Sequence, residues 1–362
     1  MSCPSPPTPT TSPQQASDLI SQLAALKASE NLESDSTARN TALALSKKLP
    51  AALEGPLNQA TELVFKPFIT VTARIAVDLN IFSLIVEEGT RDRLVSSAKL
   101  AEKNGGEEVL ISRILRVVAS IDFVLEAGDN LWSANETTTA MASELIAAGH
   151  RFDLLVVSAV SSLKYLRETP HQIPTSPTDG FVQYAHQTKL PFFSYLTTRP
   201  SLFRDFNLFM GSTMGSHEYS WEWWDVKGRL LEGGDVLFVD VAGGRGHDLQ
   251  GFVEKLKGMS KAVLDGIGEE LDGRVRRMEH DFFKRQPVVG TQVYFLHHIP
   301  HDWSDVYRHK ILTHLREAMT PGYSRLLIHD LVLPDMGATE LQTRFDFTMM
   351  TLNGGMERSR SQ

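Results

Sequence analysis

The spacing of apolar residues changes character along the chain, and each change predicts a different kind of element. Leu19, Ile20, Leu23 and Leu26 recur at helical intervals, and alanine-rich sequence of the same kind continues toward Leu53. Tyr, Phe and Trp are absent from the first sixty residues. Such a helical segment has little core of its own and is expected to pack on another chain or on the body of the protein. Farther on, Ile75, Val77, Leu79, Phe82, Leu84 and Ile85 predict one apolar helix. Ser97 to Lys103 predicts a short second helix, and Glu107 to Ser120 a third, with Leu110, Ile111, Ile114, Leu115, Val117 and Val118 facing inward. Phe123 to Trp132 then predicts a hairpin turning at Gly128-Asp129.

Three helices and a hairpin, over about residues 70 to 140, make a small winged-helix unit. Its third helix carries Arg113 and Arg116 but also Glu107 and Glu108, which favours dimerisation over DNA recognition. Residues 150 to 230 are helical and aromatic: Phe192, Phe193, Tyr195, Phe203, Phe206, Phe209, Trp221, Trp223 and Trp224 fall within 33 positions. Most suit a core, and some could line an apolar pocket. From residue 234 the pattern becomes strand–helix alternation. Val236 to Val241 is apolar except for Asp240, as in a strand buried on both faces of a parallel sheet. Gly243, Gly244 and Gly246 follow it in a turn that can approach a ligand closely. Val293–Leu296 and Leu326–Leu333 are further strands, with a helix from Tyr307 to Met319 between them. The organisation expected is a disordered tail (1–15), a helical and winged-helix dimerisation domain (16–145), helices around a substrate pocket (146–232) and a doubly wound α/β domain (233–362).

Composition narrows the class. Hydrophobic content of 42% and charged content of 22% are ordinary for a globular protein, and a net charge of −8 argues against general binding to nucleic acid or an anionic membrane. The single cysteine, Cys3, excludes an intramolecular disulfide and a cysteine metal cluster. The opening residues lack the basic and apolar regions of a signal peptide, and no apolar run reads as long enough to span a bilayer, so a cytoplasmic protein is expected.

The chemistry lies downstream of the glycine turn. Glu279-His-Asp-Phe-Phe283 is followed by Tyr294-Phe-Leu-His-His-Ile-Pro-His-Asp-Trp-Ser-Asp305, His329-Asp-Leu-Val-Leu-Pro334, Arg344-Phe-Asp-Phe-Thr-Met-Met350 and Gly354-Gly-Met-Glu-Arg-Ser359. In this order and spacing the motifs resemble the caffeate-type class I O-methyltransferases of plants and fungi, which use S-adenosyl-L-methionine. The resemblance covers nearly the whole chain. It implies an α/β Rossmann-like methyltransferase domain behind an all-α/winged-helix dimerisation domain, and a homodimer. It also implies methylation of a hydroxyl on a small aromatic or polyketide-type secondary metabolite. His301 is then the general base, and Asp330 and Glu357 are the acids that orient it and stabilise its cation. Asp240, Gly243, Gly244 and Gly246 would surround the methionine part of the cofactor, with Asp281 and Phe282 beside the adenine. His297 stands where the family usually has Arg or Lys, and His298 and His280 are bystanders. The histidine cluster is followed by no carboxylate or cysteine at metal-ligand spacing, so no metal is expected.

This chain departs from that family at three places. Ala242 replaces a usual glycine. The ribose-binding acid is either Asp265, at the end of a short second strand, or missing together with that strand. The chain also ends soon after Gly354-Gly-Met-Glu-Arg358, where the family continues with a helix and closing strands, so one sheet edge is expected to be uncovered. Two other functions share the scaffold: a cyclase or pericyclase that no longer transfers methyl, and a non-catalytic dimerising partner.

Overall fold

The computed structural model describes residues 12–29, 32–89, 94–152, 154–213, 237–244, 246, 248–249, 251–252, 276 and 278–362. The chain divides into two compact units, Met1–Met141 and Ala142–Gln362.

The first unit begins with α1 (Ser12–Ser29), which starts inside the segment expected as a tail, and α2 (Ser36–Glu54). Small residues let the two helices approach: Ala16, Leu19 and Ala52 are buried together, with Leu45 and Leu49 packed against them. Asp35 opens α2 by accepting hydrogen bonds from the backbone of Thr37 and Ala38 at 2.8 and 3.1 Å. The single apolar helix expected around Ile75–Ile85 is instead two, α3 (Pro56–Asp78) and α4 (Ile81–Glu88), meeting at 61°. Asn80 takes a left-handed conformation (φ 55°) and ends the helical path, a role that suits Asn and that apolar periodicity does not register.

Next come β1 (Val95–Ser96), α5 (Ser97–Asn104) and α6 (Glu108–Ala119), then the hairpin β2 (Leu125–Gly128) and β3 (Leu131–Ser133). The strands form an antiparallel sheet in the order β1-β3-β2. Trp132 is fully buried, and its indole N–H donates to Ser97 Oγ at 2.8 Å, fastening the hairpin to α5. α7 (Glu136–Ala142) closes the unit.

The second unit opens with α8 (Glu144–Arg151) and α9 (Leu154–Glu168). The stretch 144–168 contains a window of mean hydropathy 1.3, so one run does reach the length and apolarity of a membrane span, contrary to expectation. Phe152 leaves the helical conformation between α8 and α9 and joins the core of this unit. Arg151, at the end of α8, is paired with Asp205 at 3.1 Å. The two helices pack with α10 (Phe181–His186), α11 (Phe192–Thr197) and α12 (Pro200–Thr213) around Phe152, Leu154, Val182, Phe192, Tyr195, Leu196 and Leu352.

The site rests on a parallel sheet in the order β4-β5-β6, formed by β4 (Phe238–Asp240), β5 (Val293–His297) and β6 (Arg325–His329). Val293 to Leu296 of the central strand are fully buried, which is why they read as a continuous apolar run. α13 (Asp305–Ala318) covers this strand through Ile311, Leu315 and Ala318. The run Leu326–Leu333, expected as one strand, is broken after His329. Val332–Leu333 forms β7, which follows a separate parallel pairing with β8 (Arg358–Ser359). Between them α14 (Glu340–Asn353) starts with a capping box, Thr339 against Gln342, and stops at Gly354 (φ 67°). The candidate second strand with Asp265, and Trp221, Trp223 and Trp224, lie outside the described residues.

Candidate active site

Three strands end at one edge of the parallel sheet, and the polar residues of the quoted motifs collect there. In open α/β sheets this carboxyl edge is where ligands bind. At the end of β4, Asp240 leads into a turn in which Ala242, Gly244 and Gly246 all have positive φ (62°, 56° and 81°). Gly243 fills a different need: a β-carbon there would collide with the Asp240 carboxylate. Asp240 Oδ2 is shielded from solvent and has no hydrogen-bond partner among the described residues. Burial, with the charge of Asp248 nearby, pushes Asp240 up to about 7.

Beside it, at the end of β5, His297 Nδ1 lies 2.8 Å from Asp248 Oδ2, while its Nε2 is buried with no hydrogen-bond partner among the described residues. His297 stacks on His329, at the end of the neighbouring strand, with ring centroids 4.3 Å apart and nearly parallel. Sequence reasoning missed Asp248, which lies two residues after Gly246 and 49 positions before His297.

The backbone then turns through His298 (φ 54°) into a 3-10 turn, Pro300–Asp302. His301 is buried on this turn, and its Nδ1 lies 2.8 Å from Glu357 Oε1. Burial opposes the imidazolium, but the Glu357 hydrogen bond and the charges of Asp302, Glu357 and Asp330 outweigh it and raise His301 to about 9. Its Nε2 faces Asp302 Oδ1 at 3.8 Å. Burial raises both Asp302 and Asp330 to about 6, with His301 opposing the rise. The resemblance implied that Asp330 and Glu357 both bond the histidine. The hydrogen bond found is to Glu357, and Asp330 Oδ1 is a buried atom without a hydrogen-bond partner. Glu357 is itself almost fully buried.

The segment Gly354–Arg358 builds this arrangement. A β-carbon on Gly354 would meet the Pro174 carbonyl, and one on Gly355 the carbonyls of His301 and Asp302. The two glycines therefore let the end of α14 press against the turn that carries His301. Met356 N–H donates to the His301 carbonyl at 2.9 Å, and Glu357 N–H to Asp346 at 2.9 Å. Arg358 donates to the carbonyls of Pro300, Met356 and Trp303 and to Asp305. It clamps the turn to β8.

Asn353, the residue before the glycines, is buried, and among the described residues neither of its amide atoms has a hydrogen-bond partner. Its residue type alone gave no sign of this. Asp281 stands apart from the buried groups: it is half exposed, accepts from Phe283 N–H at 3.0 Å and pairs with Lys284. Phe282 and Phe283 both pack on Trp303 in the core beside the sheet. Asp265 lies outside the described residues. The expectation of no metal rested on the lack of a nearby carboxylate in sequence. The fold supplies one from the next strand, since ligand atoms of His298, His301 and Asp330 lie within 4.8 Å of one another.

The sequence profile of the O-methyltransferase domain matches residues 231–362. The O-methyltransferase penC of Penicillium thymicola is 43% identical over 357 residues, covering 95% of this chain and 88% of that protein. The O-methyltransferase asqD of Emericella nidulans is 39% identical, covering 82% and 79%. Among solved structures, OxaC in complex with sinefungin and meleagrin superposes with a TM-score of 0.82 at 18% identity, covering 97% of this chain and 91% of that one. A pericyclic reaction enzyme superposes with a TM-score of 0.78 at 25% identity, covering 96% and 91%. With such identity to penC over almost its full length, and the domain profile matching residues 231–362, this chain belongs to the S-adenosylmethionine-dependent O-methyltransferase family.

Proposed function

We infer that the protein methylates a phenol-like hydroxyl on a small aromatic or polyketide-type secondary metabolite, with His301 as general base. The observation that carries this is the buried His301–Glu357 pair at the carboxyl edge of the sheet. S-adenosylmethionine, when bound, supplies an electrophilic methyl group on a sulfonium. The shielded Oδ2 of Asp240 and Nε2 of His297 are suited to its polar groups, as is the left-handed turn through Gly244 and Gly246, so the described residues fit the cofactor. Gly243 leaves Asp240 the space it needs, and Phe282 and Asp281 are assigned to the adenine side.

Glu357 accepts the Nδ1–H of His301 and leaves the Nε2 lone pair to take the hydroxyl proton. A base raised to about 9 is well matched to a phenolic hydroxyl near ~10, so the proton transfer is close to balanced. Asn353 and Asp302 are placed to meet further polar groups of the substrate. Replacing His301 with Ala is expected to reduce transfer of isotopically labelled methyl to an accepted phenol by about a hundredfold or more. An unchanged rate would remove His301 from the role.

A second function, catalysis without methyl transfer, draws on the same raised His301: at neutral pH the imidazolium can donate to a substrate carbonyl. The likeness to a pericyclic reaction enzyme supports it. Turnover of a substrate with no label incorporated would favour it. The copies are inferred to associate as homodimers, because α3 leaves Leu57, Leu63, Val64, Phe65 and Phe68 exposed.

A further inference from the structure

We propose that His298, His301 and Asp330 form a binding site for a divalent transition cation of the zinc type. One ligand atom from each residue lies within 4.8 Å of the other two. Two imidazoles and one carboxylate suit zinc, cobalt or nickel, whereas magnesium and calcium take oxygen ligands. Bonds of ~2.0–2.2 Å around a tetrahedral ion require donors somewhat closer together than this, a change within reach of side-chain rotation.

Three features prepare the triad. The backbone N–H of His298 donates to the His329 carbonyl at 3.0 Å, which ties the end of β5 to the end of β6 and brings His298 alongside Asp330. Glu357 occupies Nδ1 of His301 at 2.8 Å, so Nε2 is the atom free to ligate, and a carboxylate on the far nitrogen is the usual support of a metal-bound histidine. Asp330 Oδ1 is shielded from solvent and has no hydrogen-bond partner among the described residues, as suits a ligand oxygen. Local spacing conceals the set because Asp330 enters from the adjacent parallel strand.

Coordination would occupy the nitrogen that the proposed base uses, so the cation would inhibit methyl transfer. That consequence rests on the proposed function, whereas the binding does not. The test titrates the full, chelator-stripped protein with zinc by calorimetry and with cobalt by visible absorption. It includes His298→Asn, which keeps a residue tolerant of the left-handed backbone, and Asp330→Asn, with circular dichroism to establish folding. The expected result is one zinc per chain, at least tenfold weaker binding in each folded variant, and cobalt ligand-field bands in the wild type. Equal binding by the wild type and both folded variants would overturn the site. So would the absence of cobalt bands at a stoichiometric ratio, whether or not the variants fold. Stoichiometric zinc that leaves methyl transfer unchanged would support the site and reject His301 as the base.

Discussion

His301 is surrounded by more negative charge than an ordinary histidine needs to titrate near neutrality, and its behaviour follows from that excess. With the imidazole raised to about 9, kcat/KM of the wild type should climb with pH and level off near 9. Glu357→Gln removes the strongest opponent of burial, so the rising limb should move to lower pH and the plateau should fall by roughly tenfold or more. A profile between pH 6 and 10 measures both, and an unmoved limb would dissociate Glu357 from the base. The same groups tie stability to pH. A group whose folded pKa is raised contributes stability fully present below its unfolded pKa and lost as pH rises through the folded value. For His301 this loss runs from about 6.5 to about 9, and for Asp240 from 3.8 to about 7. Asp240→Asn should therefore raise Tm at pH 8, by about 2–4 °C for each kcal/mol recovered, with little gain at pH 4. It should also weaken cofactor binding, because the unpartnered carboxylate is lost. Calorimetric melts at the two pH values check the sign. The sequence motifs led directly to His301 and Glu357. They could not lead to Asp248, which stands outside the quoted motifs, or to the clamp made by Arg358, most of whose partners are backbone carbonyls that residue types do not announce.

At the scale of elements, two turns position the chemistry. Ala242 is an L-residue at φ 62° in the glycine turn, a conformation costing about 1–2 kcal/mol relative to the right-handed one. Ala242→Gly should relieve part of that strain and raise the urea midpoint without changing the m-value, by up to about 1 kcal/mol once the entropy of glycine is counted. A lower midpoint would show that the turn is not strained there. At Gly355 the logic reverses. Gly355→Ala would drive a methyl group into the carbonyls of His301 and Asp302, displacing the turn that holds His301. Because misplacement by about an ångström costs ~100-fold in rate, kcat should fall far more steeply than Tm. The parallel strands and α13 were legible because their residues are buried in continuous or helical stripes. The division of Leu326–Leu333 into β6 and β7 was not, since an apolar run does not record which strand each half pairs with. The break at Asn80 was hidden in the same way, by apolar residues on both sides of it.

For the whole molecule, the unsolved quantity in the sequence was what covers the helices at its start. The answer is legible only from exposure. Leu57 is 78% exposed and Phe68 63% exposed on α3, while on α9, in the second unit, Val160 and Leu163 are each about two-thirds exposed. Apolar surface of this kind on two long helices calls for either a protein partner or a lipid surface. The bent pair α3–α4 has the length and apolarity of a span, so composition alone does not decide between them. Charge does bear on the choice: a chain of net charge −8 is repelled by anionic lipid, whereas the apolar faces of two identical copies can cover each other. Sedimentation equilibrium at micromolar concentration should therefore return twice the 40.3 kDa chain mass. Phe65→Glu combined with Phe68→Glu should shift the mass to that of one chain, because opposed carboxylates would then be buried without partners. Flotation with vesicles containing anionic lipid provides the contrast. A wild-type protein that sediments as a single chain and floats with those vesicles would assign the apolar face of α3 to a membrane and reject the homodimer.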